Sequence, residues 1–189
     1  MAHDVYAEIP ILENDNFLLR RIDDKADAED LLKVYSDEKS VPFFNSDNCN
    51  GDTFFYKTIE EMKKAIDFWR FSYENKYFVR WAIVHKSDNE AIGTIELFNR
   101  TSDDYFNNCG LLRLVLRSDH ETVESIDSIL SIIIPVGKDL FACDKIATKA
   151  VPDAKHRISV LEQMGFHLTD ELLTGHDGTK YEFYYVKEV

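Results

Sequence analysis

A polar loop set between an apolar strand and an apolar helix is the stretch of this chain best suited to chemistry. It reads Arg117-Ser118-Asp119-His120-Glu121-Thr122-Val123. The residues before it, Leu111 to Arg117 and so Leu114, Val115 and Leu116, form a Leu- and Val-rich run that reads as a buried strand. From Val123 the apolar positions change spacing to Val123, Ile126, Ile129, Leu130, Ile133, Gly137 and Leu140, one face of a long helix. The first N–H groups of a helix have no partner inside it, so strand, short loop and helix together make a unit that can hold an anion. A second candidate, His176-Asp177, lies between Gly175 and Gly178 without a partnering Ser or Cys motif, which makes it turn chemistry. The three cysteines, Cys49, Cys109 and Cys143, are widely spaced and form no CxxC, so neither a zinc site nor a disulfide framework is expected.

The elements that must position this loop follow from periodicity. Phe17 to Ile22 reads as a first strand. Asp24 is the expected N-cap of a first helix that buries Ala28, Leu31, Leu32 and Tyr35. Thr58 and Glu61 form a capping box, and Met62, Ala65, Ile66, Trp69 and Tyr73 continue a second helix. Between these helices lie Phe43, Phe44 and Phe54 to Tyr56, unusually aromatic for a loop; the rings either plug the core edge or line an acceptor pocket. Phe78 to His85 and Ala91 to Phe98 read as a hairpin across the polar turn 86–89. Pro135 predicts a kink costing about 3 kcal/mol if unrelieved, or else a strand over 129–134; the length of the pattern favours the helix. Lys145 to Val151 reads as a strand, Pro152-Asp153 as a helix start, with Ile158 and Leu161 inward, and Gly165 as a left-handed stop. Phe166 to Leu173 and Lys180 to Val186 are expected to close the chain as a hairpin.

At 189 residues with 44% apolar content, one domain spanning 1–189 is expected, large enough for a core without metals or disulfides. The net charge of −13 argues against nucleic acid or an anionic membrane surface as partner. Reduced cysteines, the absence of an apolar N-terminal segment and of any membrane-length run predict a cytoplasmic protein.

The order of elements resembles the GNAT superfamily of N-acetyltransferases, within it the ribosomal-protein N-terminal acetyltransferase branch. Two local signatures carry the resemblance. One is the strand, loop and helix around Arg117 to Val123, at the family's pyrophosphate loop. The other is Ala154 to Phe166, AKHRISVLEQMGF, which meets the pattern N-x-x-S-I-x-V-L-E-K-x-G-F at Ile158, Val160, Leu161, Glu162, Gly165 and Phe166. The resemblance implies an α/β (α+β) three-layer fold: a central mixed, mostly antiparallel sheet of six to seven strands with about four helices. It implies acetyl-CoA as the acetyl donor, held by Leu114 to Val123, and an amine as acceptor, on a small molecule or a protein N-terminus.

Departures from the family pattern are specific. The family loop is Arg/Gln-x-x-Gly-x-Gly/Ala, glycines letting the backbone approach the coenzyme A diphosphate. This loop has none, and Asp119 and Glu121 would face a diphosphate with like charge. At about 5 Å and an effective dielectric of about 20, each such pair costs on the order of 3 kcal/mol before screening. The family's Asn and Ser fall on Ala154 and Arg157. Lys155 and Arg157 either offer charge to a phosphate or form a solvated helix face, the favoured reading. The Tyr many members use as general acid falls on Leu161, a loss common in this branch. The base candidates are Glu96, mid-strand beside the expected acyl position, and His120, whose imidazole titrates in the useful range. The resulting expectation is an N-acetyltransferase; the alternative is a GNAT-fold protein that has lost cofactor binding and serves as a ligand-binding or interaction module.

Overall fold

In the computed structural model, which describes residues 4–189, eight strands form one sheet. In chain order come β1 (Leu12–Glu13), β2 (Phe17–Arg21), α1 (Ala28–Tyr35), α2 (Ile59–Glu74), β3 (Val79–His85), β4 (Glu90–Arg100), β5 (Cys109–Leu116) and α3 (Val123–Phe141). Then follow β6 (Lys145–Lys149), α4 (Lys155–Gln163), β7 (His167–Leu168), β8 (Leu173–Thr174), β9 (Lys180–Tyr181) and β10 (Tyr184–Glu188). The sheet order is β1-β2-β3-β4-β5-β6-β10-β7, with β8 and β9 paired separately. Among these pairings only β5 with β6 is parallel, so the sheet is mixed and mostly antiparallel. Short edge pieces, β1 and β7, bring it to eight strands rather than six to seven; two residues are too few to show an alternation.

Successive strand residues face opposite sides, and β5 uses this to bind two layers at once. Leu112, Leu114 and Leu116 pack with Ile126, Ile129 and Ile133 of α3. Val115, on the other side, packs with Leu31, Val34 and Tyr35 of α1 and with Met62, Ile66 and Trp69 of α2. Each such fully buried Leu or Ile contributes about 1.5 to 3 kcal/mol.

Local chemistry explains the helix ends. Thr58 accepts from the Glu61 amide at 3.2 Å while Glu61 accepts from the Thr58 amide at 3.0 Å, the capping box the sequence predicts. The N-cap of α1 is Asp27, not Asp24, and its carboxylate makes no capping bond. It is committed instead to Arg20, at 2.8 Å through each oxygen. Helix α1 buries Val34 together with Ala28, Leu31 and Tyr35, whereas Leu32 is only half-buried. Helix α3 runs through Pro135 without interruption. Gly137 lets it lie close against β6, because a Cβ there would come within 2.8 Å of Ile146 Cδ1. Gly165, at φ +87°, makes the left-handed stop after α4. The expected closing hairpin is divided: β7 pairs with β10, while β8 and β9 pair around 175–178.

Candidate functional site

The parallel ladder between β5 and β6 runs from Cys109↔Lys145 to Leu112↔Thr148 and stops. Beyond it β5 continues to Leu116 paired only with β4, and past β6 the Ala150 amide turns to Phe183 O at 3.0 Å. The two parallel strands therefore part at their C-terminal ends, leaving a cleft between them.

One side chain crosses this cleft. Arg157 of α4 is 5% exposed and donates from Nη1 to Leu114 O at 2.8 Å and to Phe43 O at 3.3 Å. Its Nε and Nη2 donate to the two carboxylate oxygens of Glu121, at 2.5 and 3.0 Å. The solvated helix face expected for Arg157 is thus corrected: the guanidinium points inward because Leu114 O, Phe43 O and Glu121 satisfy its donors. Lys155, two positions earlier, is exposed.

The loop before α3 is equally occupied. Ser118 to His120 make one helical turn, the Ser118 amide donates to Asp37 Oδ2 at 2.8 Å, and the Glu121 amide donates to Ser118 O at 3.2 Å. Thr122 caps α3 by accepting from the Ser125 amide at 3.2 Å. Asp119 turns away to Arg117, at 2.7 and 2.9 Å. Burial pushes the Asp37 carboxyl up, but hydrogen bonds from Ser118 lead a set that leaves it below the usual carboxylate range. Two of the donors around the loop, the Ser118 amide and the Arg157 guanidinium, are thus engaged by the chain's own carboxylates, Asp37 and Glu121. A hollow of about 380 Å³ adjoins the loop, lined among others by Lys39, Glu121, Lys155 and His156.

On the opposite face of β5 lies an aromatic groove. Its 260 Å³ are lined by Phe54, Phe68, Trp69, Tyr77, Phe78 and Phe98 above Arg80, Glu96 and Arg113. The aromatic loop divides: Phe44 is buried against Tyr35, while Phe54 lines the groove. Arg113, Phe98 and Asn48 also line a neighbouring 340 Å³ hollow that reaches Tyr184 and His176. The floor is an ion cluster. Glu96, 1% exposed, accepts from Arg80 through Oε2 and from Arg113 Nη1 through Oε1 at 2.6 Å. Arg80 is further held by the Tyr35 hydroxyl at 2.9 Å and lies 4.3 Å from the Trp69 ring centroid. Burial pushes the Glu96 carboxyl up; the charges and hydrogen bonds of Arg80 and Arg113 together outweigh it and hold the group below its ordinary range.

Glu96 and His120 share no contact. His120 sits against His85 and Phe17, with ring centroids at 5.0 and 6.1 Å, and burial lowers its pKa. The His176 and Asp177 pair is a turn, as expected: Asp177 accepts from the Thr179 amide at 2.9 Å, and His176 is tied to Asn48. Among the described residues no cluster of His, Cys, Asp or Glu is arranged to hold a metal, and no helix is long and apolar enough to cross a membrane. The sequence reading missed Arg80, Arg113 and Asp37. The first two had a signal, since the hairpin register sets Arg80 opposite Glu96 and Glu96 opposite Arg113. Asp37 lies 81 positions from its partner and had none.

A mixed sheet whose single parallel pair parts beside a helix-start loop, under helices on both faces, defines the GNAT type of acyltransferase architecture. Residues 16–167 match the family model described as Acetyltransferase (GNAT) domain, and the chain belongs to that family. It is 31% identical over 86 residues to the uncharacterized N-acetyltransferase YoaA of Bacillus subtilis, a match covering 46% of this chain and 44% of that protein, so less than half of the relative's length is spanned. Two solved structures share the fold. The microcin C7 self-immunity acetyltransferase MccE, in complex with acetyl-CoA and AMP, aligns over 93% of this chain and 94% of its own at TM-score 0.69 and 16% identity. RimL, a ribosomal L7/L12 alpha-N-protein acetyltransferase in complex with coenzyme A, aligns over 95% and 98% at TM-score 0.64 and 12% identity.

Proposed function

We propose that this protein is an acetyl-CoA-dependent N-acetyltransferase whose acceptor is a primary amine, on a small molecule or a protein N-terminus. The observation that carries the reading is the meeting of two spaces on one strand. Arg113 sends its side chain into the aromatic groove, and the next residue, Leu114, turns its carbonyl to the cleft. An amine seated in the groove and an acyl arm lying along the cleft approach each other across β5, which supplies the proximity that direct transfer needs. The thioester would supply the activated acyl group; the chain contributes orientation.

Within this reading Glu96 is a positioning residue. With both oxygens on guanidiniums and its carboxyl held below the ordinary range, it is a weak proton acceptor, and it fixes Arg80 and Arg113 under the groove. His120, facing Phe17 and His85, serves the wall beside α3 rather than the groove. The acidic surface, net −13, attracts a cationic amine from solution. The test is a panel of amines and peptides with free N-termini incubated with acetyl-CoA and read by mass spectrometry. Acetylated product above the enzyme-free rate is expected for at least one; no product from any of them at saturating donor, with the protein folded, refutes the assignment.

A further inference from the structure

Glu121 and Arg157 stand on the donor side of the cleft, where the family pattern carries a variable loop position and a serine. We infer that this ion pair is a latch, an internal occupant that a phosphate-bearing donor displaces by taking Arg157 away from Glu121. The inference rests on the acetyl-CoA reading above.

Four features argue for it. The first is geometry: Glu121 meets the Nε and Nη2 edge of the guanidinium at 2.5 and 3.0 Å, the two-pronged face a guanidinium presents to carboxylate and phosphate alike. Second, the side chains are 5% and 10% exposed, so the pair does not belong to the weak, water-screened kind found on surfaces. Third, the remaining donor, Nη1, is fixed to Leu114 O at 2.8 Å and Phe43 O at 3.3 Å. Arg157 is therefore anchored across the cleft whichever anion holds its other edge. Fourth, the loop is docked on α4 a second time, through His156 Nδ1 and Glu121 O at 2.8 Å, which holds the loop backbone when the side chain leaves.

The exchange conserves hydrogen bonds. Arg157 passes two donors from a carboxylate to a phosphate oxygen pair and is never left buried without an acceptor, the state that would be costly. Glu121 already lines the hollow of about 380 Å³ outside the loop and has space to turn into, beside Lys39 and Lys155. The chain thus binds its donor through an arginine that the resting protein keeps satisfied, and affinity for the donor is set by how readily Glu121 lets go.

The test is calorimetric titration of coenzyme A into the full-length wild type, Glu121→Gln and Glu124→Gln. Glu124 is exposed on the first turn of α3, so its variant removes the same charge nearby without touching the pair. Glu121→Gln should bind at least about tenfold tighter than wild type, as expected when a charged partner no longer competes, and Glu124→Gln should stay within about twofold, as for a screened surface charge. A nitrogen-15 spectrum should show the Arg157 Nε–H resonance moving on coenzyme A addition to wild type. Equal tightening by both variants would mean general electrostatics, and the latch would be rejected. Unchanged or weaker binding by folded Glu121→Gln, an unmoved Arg157 resonance, or no heat from any of the three proteins at millimolar coenzyme A rejects it as well. Tighter binding by Glu121→Gln with no acetyl transfer to any amine keeps the latch and removes the proposed activity.

Discussion

Two arginine–carboxylate clusters flank β5, and they are built on different ratios. Under the groove a single carboxylate, Glu96, serves two guanidiniums. Across the strand one guanidinium, Arg157, faces one carboxylate, while Asp37 and Asp119 are occupied elsewhere. The surrounding bonds differ as well. Arg80 is locked by Tyr35 and the Trp69 ring, so the groove cluster has no member that can leave without stranding buried charge. Arg157 keeps two backbone carbonyls whatever its anionic partner is. The first cluster is a floor, and the second contains one exchangeable member. Burial alone does not separate the two; what does is whether each ion has a second set of partners.

The largest effect should come from Glu96→Ala. It leaves Arg80 and Arg113 buried with no anion and is expected to cost about 3 to 5 kcal/mol, read from urea unfolding; a loss below about 1 kcal/mol would show that the rings alone hold the floor. Arg157→Met keeps the stem but strips Glu121 and Leu114 O of their donor, and about 2 to 3 kcal/mol should follow. If it matches Glu96→Ala, the contrast between floor and exchangeable member fails.

A pH series sharpens the comparison. Glu96 and Asp37 are both held below the ordinary carboxylate range. Each therefore contributes stability that is fully present above the unfolded value of about 4 and is lost as pH falls through the lower folded value. Melting temperature should drop on the acid side, and Glu96→Gln should flatten that limb; parallel limbs in the two proteins would show that Glu96 keeps its unfolded affinity for the proton. The smallest effect is expected away from both clusters. Thr58→Ala removes one half of the capping box and should cost about 1 kcal/mol, with the acid limb unchanged.

Local signals survived folding well and side-chain destinations did not. The capping box at Thr58, the helix through Pro135 and the stop at Gly165 depend on neighbours within a turn or two, which the sequence displays directly. Asp24 and Asp27 both suit an N-cap by type; only the approach of Arg20 from β2 decides that Asp27 is spoken for. Arg157 looks like one residue of a charged face because helical spacing says nothing of the acceptors opposite, Leu114 O and Glu121, which come from segments 43 and 36 residues away. Most of the fold and the location of the cleft were thus legible. What the cleft contains was written in long-range pairings, beyond the reach of periodicity.

Asp47 carries a consequence of its own. Its carboxylate takes the Lys149 ammonium at 2.7 and 2.9 Å and the Tyr184 hydroxyl at 3.1 Å, while its main-chain carbonyl accepts from Arg113 at 2.9 Å. The segment that roofs the groove is therefore riveted to β6 and β10, the two strands beyond the parting. Any displacement of 45–50 must therefore break or carry along the contacts of Asp47 to Lys149, Tyr184 and Arg113.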